Sequence, residues 1–221
     1  MGIFITFEGI DGSGKTTVSK IINARLEKDG YKAMLIKEPT ETPLGKFIRR
    51  EVLGSGFAGA EDALTALFLF SADRTVHIDE IKAKLNCLDV IICDRFIDST
   101  YAYQAAGLAG LKDTGENKKL KDFILGVSEF ILEQKKFSID RTYLFDLKPE
   151  TALSRLNGRA DKIDGFDSRP SGFFNSVRNN YLRLSEKYRE RIKVIDASAP
   201  IENTAGKIES DILKMLGKRK P

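Results

Sequence analysis

The sequence is poor in the residues on which many metal centres, disulfide scaffolds and catalytic triads depend. Its 221 residues include no tryptophan, a single histidine and two cysteines. With only His77, a histidine triad or a multi-histidine metal centre is disfavoured. Cys87 and Cys93 are too few for a disulfide scaffold or a four-ligand zinc site. The function therefore has to be sought in other residue types.

Long apolar runs are missing as well. No stretch approaches the roughly 18 apolar residues of a membrane span. The apolar start of the chain is interrupted by Glu8 and Asp11 before it could form the core of a secretory signal. Together with the low cysteine content, this predicts a cytoplasmic, reducing location and no membrane partner.

The overall composition is that of an ordinary globular protein. Hydrophobic residues make up 42% and charged residues 31%, and 36 basic against 32 acidic residues give a net charge of +4. The chain is expected to form a single domain over residues 1–221. Its small basic excess suits an anionic small molecule and does not indicate a nucleic-acid partner.

Short β-branched runs alternate with longer amphipathic stretches. The runs predict strands at 3–7, 31–36, 88–93, 141–146 and 193–196. The stretches predict helices at 15–29, 43–53, 61–85, 96–105, 117–135, 149–157, 172–190 and 201–216. This order predicts an α/β fold with a five-stranded parallel sheet and helices on both faces. The segment 158–172, rich in Asp, Arg, Ser and Gly, is predicted to be a short mobile lid.

A glycine-rich loop between the first strand and the first helix carries the strongest signal. Its residues match G-x-x-x-x-G-K-[ST] at every fixed position: Gly9, Ile10, Asp11, Gly12, Ser13, Gly14, Lys15 and Thr16, followed by Thr17. Backbone amides of such a loop surround phosphate oxygens, the lysine bridges the β- and γ-phosphates, and the hydroxyl ligates magnesium. We therefore predict nucleotide binding, with Lys15 on an exposed loop and Thr16 as a metal ligand.

The loop alone leaves the reaction open. A GTPase switch would carry a guanine-reading Asn-Lys-x-Asp, and the nearest string, at 117–120, lacks the final carboxylate. A non-catalytic nucleotide switch is disfavoured by the arginines of the predicted lid, because a switch has no need of them.

Further residues indicate a second, anionic substrate. Asp94 and Arg95 end the third predicted strand, at the edge where open parallel sheets bind ligands. A carboxylate there can hold hydrated magnesium, and an arginine can clamp a phosphate through its planar fork.

Two residues of the long helix at 61–85 could bind a base. Phe70 and Arg74 are four residues apart and share a face, which allows stacking and hydrogen bonding to a base edge. Taken alone, the phenylalanine is more typical of a core, and Arg74 and Arg49 of a solvated helix face. A polar and aromatic cluster on the next helix fits a pocket wall or a helix surface equally well: Ser99, Thr100, Tyr103 and Gln104.

At these residues the sequence resembles the thymidylate kinases, which are P-loop nucleoside-monophosphate kinases, over almost its whole length. The shared motifs are Phe-Glu-Gly-Ile-Asp-Gly-Ser-Gly-Lys-Thr-Thr at 7–17, Lys-Glu-Pro-Thr at 37–40, Phe-Ser-Ala-Asp-Arg at 70–74, Asp-Arg-Phe-Ile-Asp-Ser-Thr-Tyr-Ala-Tyr-Gln at 94–104 and Val-Ile-Asp-Ala at 194–197. The resemblance implies a P-loop kinase fold and transfer of the ATP γ-phosphoryl group to dTMP with Mg²⁺. A kinase for another acceptor is the alternative.

The resemblance also implies residue roles at the acceptor site. Asp11 would accept a hydrogen bond from the sugar 3′-hydroxyl, and Pro39, after a cis peptide bond, would approach the base methyl. The acceptor phosphate would be bound by Arg49 and Arg95, and the thymine by Phe70 and Arg74. Tyr103 would occupy the space of a ribose 2′-hydroxyl, and the loop 197–200, beginning at Ala197, would touch adenine.

Two departures from the family pattern concern catalysis. Lys37 stands where relatives commonly have arginine, and Asp161-Lys162 stands where many have Asp-Arg. The loop has Gly12 after Asp11, as in relatives that supply the catalytic arginine from the lid. The candidates for a cation acting beside Lys15 and Arg95 are therefore Arg155, Arg159, Lys162 and Arg169. The resemblance further implies a homodimer formed through the long helices.

Overall fold

The computed structural model describes residues 1–54, 62–107, 115–157 and 171–217. Its centre is a parallel sheet of β1 (Ile3–Glu8), β2 (Ala33–Lys37), β3 (Val90–Asp94), β4 (Arg141–Asp146) and β5 (Ile192–Asp196). The spatial order is β2-β3-β1-β4-β5, with Phe7 of β1 aligned to Asp94 on one side and Tyr143 on the other. The predicted α/β fold with a five-stranded parallel sheet is confirmed.

The helices follow the predicted pattern closely. They are α1 (Lys15–Lys28), α2 (Pro43–Phe47), α3 (Ala63–Lys84), α4 (Ile97–Gly107), α5 (Gly115–Gln134), α6 (Pro149–Asn157), α7 (Ser171–Lys187) and α8 (Ile201–Gly217). The single helix predicted at 43–53 is instead α2 followed by a π-helix over Ile48–Leu53, a widened turn that is frequent at functional sites. β2 begins later than predicted, because the Tyr31 amide still bonds the carbonyl of Leu26 at the end of α1.

The alternation of side chains along β1 explains why both faces of the sheet are covered. Ile3, Ile5 and Phe7 are buried in the cluster that includes residues of α1 and α8. Phe4 lies on the opposite face and packs with residues of α3 and with Phe96. A central strand buried on both sides reads as a nearly continuous apolar run, and β1 does so apart from Thr6 and its last residue, Glu8.

The carboxyl ends of β1, β2 and β3 meet at one edge of the sheet, because the strands are parallel and adjacent. The loop after β1, residues 37–40 after β2, and Asp94 and Arg95 after β3 are thereby brought together. At the opposite end of β3, Cys87 is exposed, whereas Cys93 is buried within the strand and its thiol donates to the Arg95 carbonyl at 3.0 Å. No helix in the described ranges has the length and apolar character needed to cross a membrane.

Candidate active site

The glycine-rich loop has the backbone geometry that a phosphate cradle needs. Gly14 caps α1 with a φ of 89°, a left-handed conformation that glycine adopts without strain. Gly12 has a φ of 80°, and a Cβ there would lie 2.5 Å from the Ala152 carbonyl oxygen of α6. That position therefore has no room for any side chain, arginine included. The buried Ser13 hydroxyl has no hydrogen-bond partner among the described residues, which suits a phosphate ligand.

Lys15 is buried, which corrects the expectation that it lies on an exposed loop. It is the first residue of α1 and only 5% exposed, because its side chain folds back over the loop. Its ammonium lies 3.4 Å from the Ile10 carbonyl oxygen and 3.7 Å from Asp11. Burial and the charge of Arg95 lower the pKa of Lys15, against the opposing effect of Asp11 and Asp94.

The residues predicted to ligate magnesium are in contact. The Thr16 hydroxyl donates to one carboxylate oxygen of Asp94. The other oxygen, Oδ1, is buried and has no partner in the part of the chain that the structure describes. A hydroxyl and a carboxylate oxygen are the hard donors that Mg²⁺ prefers, so this pair fits the metal.

Arg95, which the resemblance assigns to the acceptor phosphate, is held by several neighbours. Its backbone has a φ of 70°, a costly conformation for arginine that persists only where the surroundings fix it. The guanidinium donates to the Gly9 carbonyl at 3.0 Å and the Tyr103 hydroxyl at 3.1 Å, and it also pairs with Asp11. The Tyr103 hydroxyl in turn donates to Asp11 at 2.8 Å.

Asp11 is held in its ionised form by these neighbours. Its partial burial would by itself raise the pKa of the carboxyl, but the charges of Arg95 and Lys15 hold that pKa well below its usual range. A carboxylate beside a phosphate site is electrostatically costly, and here two cations offset the cost.

Arg74 is fixed at the far end of the site by buried partners. Its side chain is 2% exposed, and it donates to Glu38 at 2.8 Å, the Thr100 hydroxyl at 2.8 Å and the Phe96 carbonyl at 3.2 Å. His77 lies 3.0 Å from the second oxygen of Glu38. Glu38 therefore anchors the arginine.

The peptide bond between Glu38 and Pro39 is cis, as the resemblance implied. Arg49, on the π-helix, donates to the Pro39 carbonyl.

Most of these side chains line one cavity of about 260 Å³. The predicted residues that line it are Asp11, Lys15, Thr16, Pro39, Arg49, Phe70, Arg74, Asp94, Arg95, Ser99, Thr100, Tyr103 and Gln104. Of the two interpretations of the cluster at 99–104, the pocket wall is thus the one observed. Phe70 and Arg74 line the cavity together, as their spacing predicted.

Other predicted residues lie elsewhere. Arg155 is on α6 and donates to the Ala197 carbonyl at 3.1 Å, and neither residue lines this cavity. Arg159, Lys162 and Arg169 fall outside the described residues.

Sequence reasoning missed several residues that line or support the cavity. Lys37, Glu38, Leu53 and Phe96 line it without having been predicted to do so. Glu38 could have been found from its place in the Lys-Glu-Pro-Thr motif, where a carboxylate follows a strand and precedes the base-facing proline. Leu53 carries no signal of this kind, because an aliphatic residue on a helix is most often core.

A phosphate loop facing a cation-lined cavity at the carboxyl edge of a parallel sheet defines a P-loop kinase with a phosphorylated second substrate. A family model described as thymidylate kinase matches residues 7–208. The chain therefore belongs to the thymidylate kinase family.

Thymidylate kinases from several organisms align with nearly the whole of this chain. A thymidylate kinase of Desulforapulum autotrophicum is 38% identical over 222 residues, covering 97% of this chain and 92% of the relative. One of Acholeplasma laidlawii is 37% identical over 216 residues, covering 97% and 100%. A probable thymidylate kinase of Thermococcus gammatolerans is 35% identical over 230 residues, covering 96% and 99%.

Proposed function

We propose that this chain transfers the γ-phosphoryl group of ATP to dTMP, giving ADP and dTDP, with the residue roles set out below. Family membership over residues 7–208 makes the reaction the ATP-dependent phosphorylation of dTMP. The observation that carries the assignment of roles is the single cavity that joins the phosphate loop and Arg95 to the Arg74–Glu38 pair.

At the donor end, the loop 9–16 binds the ATP phosphates through its backbone amides and the N-terminus of α1. Lys15 neutralises charge between the β- and γ-phosphates. Thr16 and Asp94 hold Mg²⁺, which when bound neutralises further phosphate charge. The adenine lies near Ala197, where Arg155 already holds the backbone carbonyl.

At the acceptor end, Arg95 and Arg49 bind the dTMP phosphate, and Asp11 accepts from the 3′-hydroxyl. Phe70 stacks on thymine beside Pro39, and Arg74 donates to O4 of the base. Ser99, Thr100 and Gln104 complete the wall, and Tyr103 leaves no room for a 2′-hydroxyl. Catalysis is positioning and charge neutralisation, because two anions must meet in line.

We further propose one kinase domain over residues 1–221, with residues 158–172 closing as a lid that excludes water. The lid supplies the cation that Gly12 cannot, and Arg159 and Lys162 are the first candidates. If the lid cation acts only in the transition state, replacing it lowers kcat and leaves KM nearly unchanged.

A homodimer is proposed from the exposed apolar surface of α3 and α5. Phe68 and Phe130 are 55% and 60% exposed, and the ring of Phe68 lies 6.5 Å from that of Phe123. Aromatic side chains that remain exposed in this number mark an interaction surface. The proposed location is the cytoplasm, where both substrates are available and where the two free thiols would stay reduced.

The test is an ADP-release assay with ATP, magnesium and a panel of nucleoside monophosphates. We expect dTMP to give the highest kcat/KM. Faster release with any other monophosphate would contradict the proposed acceptor.

A further inference from the structure

A buried carboxylate lies behind the wall of the cavity, at the carboxyl end of β1. Glu8 is 0% exposed and immediately precedes the phosphate loop. It accepts hydrogen bonds from the Phe96 amide at 2.8 Å, the Ser99 hydroxyl at 2.6 Å and the Tyr181 hydroxyl at 2.9 Å. The proposed chemistry uses neither Glu8 nor Tyr181.

The two hydroxyl groups lie between Glu8 and the arginine of the acceptor site. The Arg95 guanidinium donates to the Ser99 hydroxyl at 3.3 Å and to the Tyr181 hydroxyl at 3.4 Å. The two hydroxyl oxygens are themselves 2.8 Å apart. Glu8, Ser99, Tyr181 and Arg95 thus form one hydrogen-bonded cluster.

The direction of the hydrogen bonds in this cluster depends on the charge of Glu8. An ionised carboxylate is an acceptor only. The hydroxyl protons of Ser99 and Tyr181 are then directed at Glu8 or at each other, and their lone pairs are left to accept from Arg95. A protonated Glu8 would donate to one hydroxyl and turn a hydroxyl proton toward the guanidinium, where two donors would face each other.

Tyr181 also connects the cluster to another part of the fold. It is on α7, the helix that begins at Ser171, just after the segment 158–170. Its ring is 2% exposed and packs edge-on against Tyr103 at 6.4 Å. A tyrosine fixed in this way accepts from one terminal nitrogen of the guanidinium, Nη1, whereas Asp11 pairs with the other, Nη2.

We propose that Glu8 and Tyr181 are positioning residues, which together with Ser99 orient the Arg95 guanidinium for the acceptor phosphate and link that orientation to helix α7. This inference rests on the proposed role of Arg95 in binding the dTMP phosphate. The left-handed backbone of Arg95 fits it, because such a conformation must be held by its surroundings.

The charge of Glu8 changes in the physiological range. Burial and, to a smaller extent, the charge of Asp98 raise the pKa of Glu8 to about 7, against the opposing effects of the Ser99 hydrogen bond, the charge of Arg95 and the Phe96 amide. Asp98 is itself paired with Arg191. The titratable and charged groups that face Glu8 from the surrounding elements are Lys15 of α1, Cys93 of β3, Arg95, Asp98 of α4, Tyr181 of α7 and Arg191 before β5.

The first experiment compares Tyr181→Phe with Tyr143→Phe. Each change removes a hydroxyl group that donates to a carboxylate and belongs to a buried tyrosine. Tyr143 is a suitable control, because it is 1% exposed and donates to Asp211 at 2.8 Å. For Tyr181→Phe we expect kcat/KM for dTMP to fall roughly fivefold to tenfold, with KM for ATP unchanged. For Tyr143→Phe we expect less than about a twofold change. Melting temperatures of both variants show whether folding is affected equally.

A merely structural role would lower the melting temperature of Tyr181→Phe and leave the kinetics of the folded enzyme unchanged. That result, or equal kinetic losses in the two variants, would overturn the proposal. Wild-type protein that releases no ADP with dTMP would instead overturn the proposed function, and this inference with it.

The second experiment follows kcat/KM for dTMP against pH in wild type and in Glu8→Gln, which mimics the protonated carboxyl. The dTMP phosphate also ionises in this range, but it does so identically for both enzymes, so their ratio isolates Glu8. We expect wild type to exceed the variant about tenfold near pH 8.5 and to approach it near pH 5.5. A ratio that does not change with pH would contradict the orienting role of the Glu8 charge.

Discussion

The two ends of the cavity differ in whether backbone groups or side chains form them. The proposed donor end is one contiguous loop, residues 9–16, which leads into α1 through a left-handed glycine and would bind phosphates with its backbone amides. The proposed acceptor end is assembled from side chains of the π-helix, α3 and α4 and of the residues that follow β2 and β3. Its Arg74 is fixed by buried partners such as Glu38.

The two ends should therefore tolerate substitution differently. A backbone cradle is insensitive to most side-chain substitutions, provided that its glycines remain. A side-chain pocket depends on pairs such as Arg74 with Glu38, 36 residues apart in sequence, so one substitution leaves a buried charge without its partner. We therefore expect phosphate binding to be robust and base recognition to be sensitive.

Lys15 is an exception within the phosphate loop, because its contribution comes from a side chain and not from the backbone. Lys15→Met should reduce kcat by roughly 10³-fold or more, the scale on which one cation acts on a transferred phosphoryl group. Methionine fills much of the same buried space, so circular dichroism should show a folded protein. ADP release measures the loss.

Lys20→Met is the matched control, since Lys20 is on the same helix with its side chain exposed. It should leave kcat unchanged. A Lys15→Met enzyme with wild-type kcat would remove the loop from the catalytic site.

At the opposite end of the cavity, Arg74 depends on a buried carboxylate. Arg74→Leu leaves the carboxylate of Glu38, 4% exposed, without its cation. We expect a loss of roughly 3 kcal/mol in the free energy of unfolding, measured in urea, because breaking one half of a buried ion pair is costly.

Arg25→Leu provides the comparison for that measurement. Arg25 pairs with Glu209 at 3.1 Å on a partly exposed surface, where such pairs contribute little. Equal losses for the two variants would contradict the importance of burial at Arg74.

The preference of the enzyme among pyrimidine bases tests the proposed role of Arg74, because the bases differ in hydrogen-bond donors and acceptors. Arg74 can only donate, and thymine and uracil offer an O4 acceptor where cytosine has an amino donor. We expect kcat/KM to fall about tenfold from dTMP to dUMP, for the lost methyl contact, and roughly a hundredfold to dCMP, for the unpaired donors.

UMP should be poorer than dUMP, because Tyr103 fills the space of its 2′-hydroxyl. Steady-state kinetics with these acceptors decide the order. A dCMP value near that of dTMP would remove Arg74 from the base site.

The smallest expected effect compares two carboxylates three positions apart. Asp11 has a lowered pKa, so it stabilises the fold above about pH 3.8 and loses this contribution as pH falls. Glu8 has a raised pKa of about 7, against an ordinary value of 4.5. Its ionisation therefore destabilises the fold as the pH rises from about 4.5 to about 7.

Asp11→Asn should therefore lower the free energy of unfolding at neutral pH, with the difference disappearing in acid. Glu8→Gln should stabilise the protein relative to wild type, and this gain in the free energy of unfolding should be larger at about pH 8 than at about pH 5 by on the order of 1–2 kcal/mol. Urea titrations at several pH values measure both. Shifts of the same sign would contradict the assigned environments.

The sequence was sufficient for the sheet and for the glycine-rich loop between β1 and α1, because both depend on contiguous patterns. The β-branched runs predicted every strand to within about two residues at each end. The glycine-rich motif at 9–16 predicted the loop between β1 and α1. Helix spacing placed Phe70 and Arg74 on one face and the strand pattern placed Arg95 at a strand end, but only the family resemblance assigned the first two to a binding site; all three line the cavity.

The residues that were missed act through contacts that no local pattern encodes. In the sequence, Glu8 only interrupts an apolar run, and its partner Tyr181 is 173 residues away. A tyrosine at that helical position is usually core. The burial of Lys15 also escaped prediction, since it depends on how the side chain folds over its own loop.

The unequal surroundings of the two cysteines have a practical consequence. Cys93 is enclosed in β3, and burial raises the pKa of its thiol well above the usual range, so little thiolate is available to react. Cys87 is exposed at the other end of the same strand, remote from the nucleotide-binding edge. A maleimide dye should attach at that single position and report on the protein by fluorescence without any engineered substitution.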